Sequence, residues 1–150
     1  MLGYSNNGTN TATSLKVGLS TNPSTHSKNI STVTNIGSQY GTVAANPYLY
    51  ENYPAQAPVQ YGTSKAALSH LTKELAVRFA NKNVRVNCVS YGGVEGRVDS
   101  AFLKRYAELT PSRRMLNENE LVGPLELLIS GNCSAVTGHT LVADVGWTLW

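Results

Sequence analysis

The sequence lacks the features that identify several common classes of protein. It contains two cysteines in 150 residues, too few for the disulfide framework of a small secreted domain. Its net charge of +3 comes from lysines and arginines spread along the chain, which is typical of ordinary solvated surface rather than a nucleic-acid-binding patch. No apolar stretch approaches the length of a membrane-spanning helix. We therefore expect a globular protein that binds neither nucleic acid nor membrane.

Signals for export and for metal binding are also missing. The N-terminus lacks a basic segment followed by an apolar run, so we expect a cytoplasmic location. His26, His70 and His139 share no metal-ligand spacing with the cysteines or with a cluster of carboxylates. We therefore expect no metal site.

Composition divides the chain into two parts. Between Ser5 and Ser31 roughly half of the residues are Ser, Thr or Asn, and few of them are apolar enough to be buried. Such a segment gains too little from burial to offset the entropy lost on ordering. We expect residues 1–29 to form a poorly ordered tail and residues 30–150 to form the folded unit.

Strand-like and helix-like segments alternate in the second part. Short β-branched runs predict strands at 31–36, 84–89 and 140–144. Between the first two lies a long proline-rich loop and then a helical pattern over 61–81, and shorter helices are predicted over 100–109 and 117–129. This alternation predicts an α/β fold: a partial, Rossmann-like parallel sheet of about three strands with flanking helices.

Helix details follow from the same patterns. Large apolar residues recur on one face of the long helix, which we expect to be buried: Leu68, Leu71, Leu75 and Phe79. Small apolar contacts are expected beside them from Ala66, Ala67, Ala76 and Ala80. Asn117 is the expected N-cap of the last helix, and Pro124 marks either its true first turn or a kink.

The most informative motif lies at the start of the long helix, where Tyr61 and Lys65 are four positions apart. Residues at i and i+4 lie on one helical face, with Cβ atoms about 5–6 Å apart. A phenol beside a positive charge can exchange a proton near neutral pH, which an isolated tyrosine does poorly. The spacing alone is a weak signal, because a chain with eight tyrosines gives chance matches.

Further segments strengthen the signal because they occur in a fixed order. They cover residues 34–41, 61–68, 84–87, 92–94, 111–115, 136–139 and 144–147. With them, residues 30–150 resemble the C-terminal half of a short-chain dehydrogenase/reductase, which has a Rossmann-type domain.

The resemblance implies a catalytic role for three residues. Tyr61 would be the general acid/base that exchanges a proton with the substrate oxygen. Lys65 would favour the ionised phenol and hold the nicotinamide ribose, and Ser38 would hydrogen-bond the substrate oxygen. The implied activity is an NAD(P)-dependent oxidoreduction of a small carbonyl or hydroxyl substrate.

The resemblance also implies cofactor contacts, at Tyr61, Lys65, Tyr91, Gly92 and Val94, with NAD or NADP as the cofactor. The sequence nevertheless contains no G-x-G-x-x-G turn, the motif that cradles a dinucleotide pyrophosphate. Tyr91 stands where the family usually has Pro, and its larger side chain could crowd the nicotinamide. Val145 stands where the family has Gly, so a positive φ there would be strained.

One bacterial branch of the family is especially similar in two places, the loop segment 46–52 and the ending 147–150. That branch is associated with flagellin modification and nonulosonic-acid sugar clusters, which implies a sugar as substrate. Tyr48, Tyr50 and Tyr53 would then stack on a sugar ring, or they anchor the loop to the domain; the sequence leaves both interpretations open.

A second function remains open beside catalysis. The strand that starts at Ser31 would lack the neighbours that the family's sheet supplies, which leaves an unpaired edge. Such a unit would form a homo-oligomer or associate with a full-length homologue. The alternative is therefore a truncated, non-catalytic family member that acts through such a partner.

Overall fold

The computed structural model describes residues 14–15, 30–96 and 98–150. The expected disorder of the tail concerns residues 1–29, and all of these except 14 and 15 lie outside the described residues.

A four-stranded sheet forms the centre of the described chain, in the order β1-β2-β3-β4. Strands β2 (Ser31–Ser38), β3 (Val84–Tyr91) and β4 (Thr140–Ala143) are parallel, which confirms the predicted α/β fold with three parallel strands. The two-residue strand β1 (Ser14–Leu15) pairs antiparallel with β2 and was not predicted. The expectation of a wholly open β2 edge is therefore wrong where β1 pairs with it, at Thr34 and Asn35.

In the part of the chain that the structure describes, four α-helices accompany the sheet: α1 (Tyr53–Gln56), α2 (Val59–Phe79), α3 (Ser100–Glu108) and α4 (Val122–Ile129). The last three confirm the predicted helices, whereas α1 lies inside the segment predicted to be loop. Asn117 caps a short 3-10 turn that leads into α4, and Pro124 falls in the first turn of α4. Pro124 therefore marks a helix start, as one of the two interpretations had it. None of the described helices has the length and apolarity needed to span a membrane.

The buried face of α2 overlaps the predicted one, since Leu68, Leu75 and Phe79 are half-buried, but Leu71 is 47% exposed. The most buried residues of the helix are Thr72 and Ala76. The Thr72 hydroxyl accepts a hydrogen bond of 2.9 Å from the Asn35 amide of β2 and donates one to the Leu68 carbonyl. Small and hydrogen-bonded side chains therefore bring α2 against the sheet, because they let the helix approach more closely than leucines would.

A compact apolar cluster lies beyond the carboxyl ends of the parallel strands. Its buried members are Leu49, Tyr50, Tyr106, Met115 and Trp147, contributed by the segments that follow β2, β3 and β4. The rings of Tyr106 and Trp147 stack with centroids 4.3 Å apart. This cluster fixes the segments that leave the sheet, and these segments carry the predicted functional residues.

Candidate active site

Tyr61 and Lys65 lie in the first two turns of α2, at the carboxyl end of the sheet. The Lys65 Nζ atom lies 5.7 Å from the centroid of the Tyr61 ring, and both side chains are half-buried. The phenol and the ammonium therefore share one helical face and one local environment.

Lys65 is tied to the sheet as well as to its own helix. Its Nζ donates a hydrogen bond of 2.9 Å to the carbonyl of Ile36 in β2. Burial lowers the pKa of Lys65, and the neighbouring Cys88 thiol acts in the opposite direction. An ammonium has three donors, so this bond leaves two N–H groups for other acceptors. Lys65 is thus held in place while it keeps capacity to bind a ligand.

Ser38 ends β2 and is buried. Its Oγ accepts a hydrogen bond of 3.3 Å from the backbone N–H of Tyr40 and so caps the 3-10 turn Gln39–Gly41. Since this bond uses an oxygen lone pair, the hydroxyl hydrogen is not consumed by it and can be donated elsewhere.

Two glycines let the turn after Ser38 contact the start of α2. A Cβ on Gly41 would lie 2.8 Å from the Lys65 carbonyl carbon, and a Cβ on Gly62 would lie 3.0 Å from the Tyr40 carbonyl oxygen. Side chains at these positions would force the two backbones apart. The close approach places the turn that follows Ser38 directly against the part of α2 that carries Tyr61 and Lys65.

The predicted cofactor contacts on β3 lie at the same end of the sheet. Tyr91 is the register partner of Ser38 in the parallel pair. Its hydroxyl donates to the carbonyl of Leu121 ahead of α4, and burial raises the Tyr91 pKa. The ring is thus anchored toward the α4 layer.

Gly92 and Val94 continue from Tyr91. The Gly92 N–H donates to the Ala143 carbonyl at 3.0 Å, and a Cβ on Gly92 would lie only 2.7 Å from the Asp144 Cα. Val94 forms an isolated bridge with Leu116. These contacts fix where the chain leaves β3 and β4.

Sequence patterns did not identify a buried polar network beside the site. The Tyr106 hydroxyl donates to the Gln39 side chain at 2.8 Å and accepts from the Gly93 N–H at 2.8 Å. Burial raises the pKa of Tyr106, which keeps the phenol neutral. The network joins the turn after β2 to the segment after β3. A glutamine and a tyrosine 67 positions apart carry no sequence signal for such a contact.

Tyr48, Tyr50 and Tyr53 were expected either to stack on a sugar ring or to anchor the loop, and the three do not behave alike. Tyr50 is 8% exposed and its hydroxyl lies 2.7 Å from that of Tyr40, so it anchors the loop. Tyr48 is 81% exposed and its ring is free to meet a ligand. Tyr53 lies between these extremes and contacts the Tyr50 ring at 6.1 Å.

Within the described residues, no group of three or more His, Cys, Asp or Glu side chains is arranged to hold a metal ion.

Comparison with known proteins gives consistent matches over most of the chain. Residues 26–148 match a family model described as enoyl-(acyl carrier protein) reductase. The chain is 36% identical over 117 residues to post-translational flagellin modification protein A of Campylobacter coli, covering 78% of this chain and 46% of that protein. It is 32% identical over 123 residues to the ribulose-forming D-arabinitol 2-dehydrogenase of Candida tropicalis, covering 77% and 41%.

A solved structure agrees with these matches. The crystal structure of a short-chain dehydrogenase from Leptospira borgpetersenii serovar Hardjo-bovis with bound NAD+ is similar with a TM-score of 0.73 and 37% identity. The match covers 79% of this chain and 44% of that one. The chain thus spans less than half the length of the relatives it matches.

Proposed function

Because the chain belongs to the short-chain dehydrogenase/reductase family, we propose that it is an NAD(P)-dependent oxidoreductase acting on a carbonyl or hydroxyl group of a small molecule. The observation that supports the proposal most directly is the Lys65 ammonium 5.7 Å from the Tyr61 ring centroid, on the helix that packs against the turn after Ser38.

Tyr61 is the proposed general acid/base. Reduction of a carbonyl places negative charge on the substrate oxygen, so a nearby proton donor lowers the barrier. In this role Tyr61 gives its hydroxyl proton to that oxygen in reduction and takes it back in oxidation. The positive charge of Lys65 and the N-terminal end of the α2 dipole lie on the side of the ring where negative charge develops during this transfer.

Ser38 is the proposed donor to the substrate oxygen. Its Oγ accepts from the Tyr40 N–H, which fixes the oxygen while its own hydrogen stays available. A preorganised donor aimed at a developing oxyanion stabilises the transition state without reorganisation at the moment of reaction. Ser38 and Tyr61 would then contact the same substrate oxygen.

The described residues fit the reactive end of a nicotinamide cofactor. Lys65 keeps N–H groups beyond its bond to Ile36, and Tyr91, Gly92 and Val94 lie at the same end of the sheet. When bound, the cofactor supplies or accepts the hydride. The sequence has no G-x-G-x-x-G turn for the pyrophosphate, so these residues would hold only the nicotinamide ribose end.

We further propose a polyol or sugar as the substrate. Relatives at 32% identity include D-arabinitol and galactitol 2-dehydrogenases, and a more similar one is a flagellin modification protein. The exposed Tyr48 ring offers an apolar face of the kind that packs on a sugar ring. NAD and NADP are both compatible with this proposal.

Cofactor titration and one variant test the proposal. We expect the chain to quench or shift NADH or NADPH fluorescence and to turn over on a panel of polyols and ketoses. Tyr61→Phe should lower kcat by about 10²–10⁴-fold, the usual contribution of a general acid/base, while cofactor binding persists.

Tyr48→Phe is the matched control, since it removes a phenol hydroxyl from an exposed ring and should leave the proton transfer unchanged. Full activity in Tyr61→Phe would refute the assigned role. Absence of binding at millimolar NADH and NADPH would refute the proposal for this chain alone.

A second candidate is a non-catalytic role in association with a longer family member or a second copy. The exposed apolar side chains of α2, among them Leu71 and Val77, favour it. The cofactor titration separates the two candidates, because the non-catalytic role predicts no cofactor binding by the chain alone. It also predicts that the chain co-elutes with the longer relative in size-exclusion chromatography.

A further inference from the structure

We propose that Tyr40 is a positioning residue of this site, holding the Tyr61 ring through a hydroxyl pair with Tyr50. The inference rests on the proposed function, since it concerns the same Ser38, Tyr61 and Lys65. It assigns a task to a residue that contacts Ser38 and Tyr61 but is not itself expected to touch the reacting atoms.

Three separate contacts of Tyr40 converge on the site. Its backbone N–H donates to the Ser38 Oγ at 3.3 Å. Its ring meets the Tyr61 ring edge-on, with centroids 6.4 Å apart and planes at 81°. Its carbonyl oxygen lies against Gly62, where a Cβ would come within 3.0 Å. One residue thus sets the position of the hydroxyl donor and of the phenol relative to each other.

The ring contact has the geometry that stabilises aromatic pairs. Edge-to-face rings with centroids 4.5–7 Å apart attract because the positive edge of one faces the negative face of the other. Such a pair also restricts rotation of the half-buried Tyr61 side chain, which α2 alone would leave free to change rotamer. Orientation matters because proton transfer needs the phenol oxygen within hydrogen-bond reach of the substrate.

Tyr50 fixes the other end of Tyr40. The two hydroxyls lie 2.7 Å apart. Tyr50 is buried in the apolar cluster, and its ring contacts Phe102 of α3 at 5.8 Å and Tyr53 of α1 at 6.1 Å. The hydroxyl pair therefore connects the site to two helices, α1 and α3, and to the apolar cluster.

The hydrogen bond between Tyr40 and Tyr50 does not depend on pH near neutrality. Burial, and then the charge that Tyr50 would carry, raise the pKa of Tyr40 well above that of an ordinary tyrosine. Burial likewise raises the pKa of Tyr50. Both phenols stay protonated, so neither competes with Tyr61 for the exchanged proton and the hydrogen bond between them persists.

Fluorine NMR tests the inference without cofactor or turnover. The full chain would carry 3-fluorotyrosine at position 61 alone. In Tyr40→Leu, which removes the ring contact, we expect the Tyr61 resonance to move toward its position in the urea-unfolded chain. Tyr40→Phe and Tyr50→Phe each remove the same hydrogen bond. We therefore expect their Tyr61 shifts to equal each other and to be smaller than the shift in Tyr40→Leu. The double Phe variant should match either single one, because the pair is lost in all three.

Tyr48→Phe is the control and should leave the Tyr61 resonance unchanged, since Tyr48 is exposed. Thermal unfolding establishes that each variant is folded. If Tyr40→Leu does not fold, the two isosteric Phe variants carry the test. An unchanged Tyr61 resonance in the folded variants would overturn the inference, as would a double Phe variant that shifts by the sum of the singles.

Turnover adds a second readout for protein that is active. We expect Tyr40→Phe to lower kcat about 10-fold with KM nearly unchanged, within the roughly 100-fold that a 1 Å misplacement can cost. A change in KM alone would contradict a positioning role. If neither the wild type nor any variant shows turnover, the proposed function fails. The positioning inference still stands in that case if substitution of Tyr40 shifts the Tyr61 resonance.

Discussion

Gly92 illustrates how a single backbone position constrains this fold. Its nearest neighbour is the backbone of Asp144, 2.7 Å from where a Cβ would lie. Because backbone cannot swing away as a side chain can, Gly92→Ala should lower the free energy of unfolding by about 2 kcal/mol, within the 1–3 kcal/mol range of overpacking. Urea denaturation measures this change.

Gly123→Ala is the matched control with the opposite sign. Gly123 lies in α4 with nothing within 4 Å of its Cβ position. Replacing a helical glycine with alanine should therefore stabilise the chain by up to about 1 kcal/mol. Equal effects of the two substitutions would contradict the packing argument at Gly92.

Val145 shows that backbone strain at one residue can be predicted from the sequence. The family pattern has glycine there, so a valine implies strain if φ is positive. In the structure Val145 has φ 53°, inside the left-handed region. Its side chain packs against the apolar cluster, which compensates part of the cost. Residue identity at one special position was enough for this prediction.

At the scale of elements, Arg85 joins β3 to the end of α4. It is 5% exposed, and its guanidinium donates to the carbonyls of Ser130, Cys133 and Val136 and to the Thr32 hydroxyl. Burial lowers its pKa. The structure places no carboxylate beside it among the described residues, so peptide dipoles and a hydroxyl solvate the charge.

Arg85→Met should therefore lower the free energy of unfolding by about 1–3 kcal/mol, because the half-buried carbonyls and the Thr32 hydroxyl each lose a charge-assisted hydrogen bond. Arg78→Met is the control: Arg78 is exposed and pairs with Glu74 at 3.3 Å on the surface of α2, so its loss should cost under about 0.5 kcal/mol. Similar midpoints for the two variants in urea would contradict the role given to Arg85.

The elements themselves were largely predictable, for identifiable reasons. β-branched runs gave the three parallel strands, and 3.6-residue periodicity gave α2, α3 and α4. Periodicity was wrong about Leu71, which is exposed, and missed Thr72, a polar residue that is buried against the sheet through its hydrogen bond to Asn35. Arg85 was unpredictable, since its burial depends on carbonyls that lie 45–51 positions away.

At the scale of the whole molecule, α2 leaves apolar surface exposed, including Val77 at 80%. We expect the chain to self-associate, with a sedimentation coefficient that rises with concentration. Val77→Glu should weaken association about 10-fold or more, because a valine that is buried in an interface contributes roughly 1.5 kcal/mol. Lys104→Glu, the same kind of charge change at an exposed position of α3, is the control. A monomer at every concentration would exclude this surface as an interface.

The predicted site residues depend on long-range assembly to different degrees. Tyr61 and Lys65 share a helix, so their proximity followed from spacing alone. The turn after Ser38 reaches their helix only because Gly41 and Gly62 let two backbones touch, and only the resemblance implied that Ser38 belongs with them. Tyr40 and Tyr106 join the site through partners that no local pattern identifies.

Ser38, Tyr40, Tyr50, Tyr61 and Lys65 all fall within residues 38–65, an uninterrupted stretch of the polypeptide. A recombination breakpoint on either side of that stretch carries the hydroxyl, the phenol and the ammonium together with the aromatic side chains that orient them. A breakpoint inside it separates them. The acid–base group can therefore be inherited as one block of coding sequence, independently of whatever segment binds the rest of a dinucleotide.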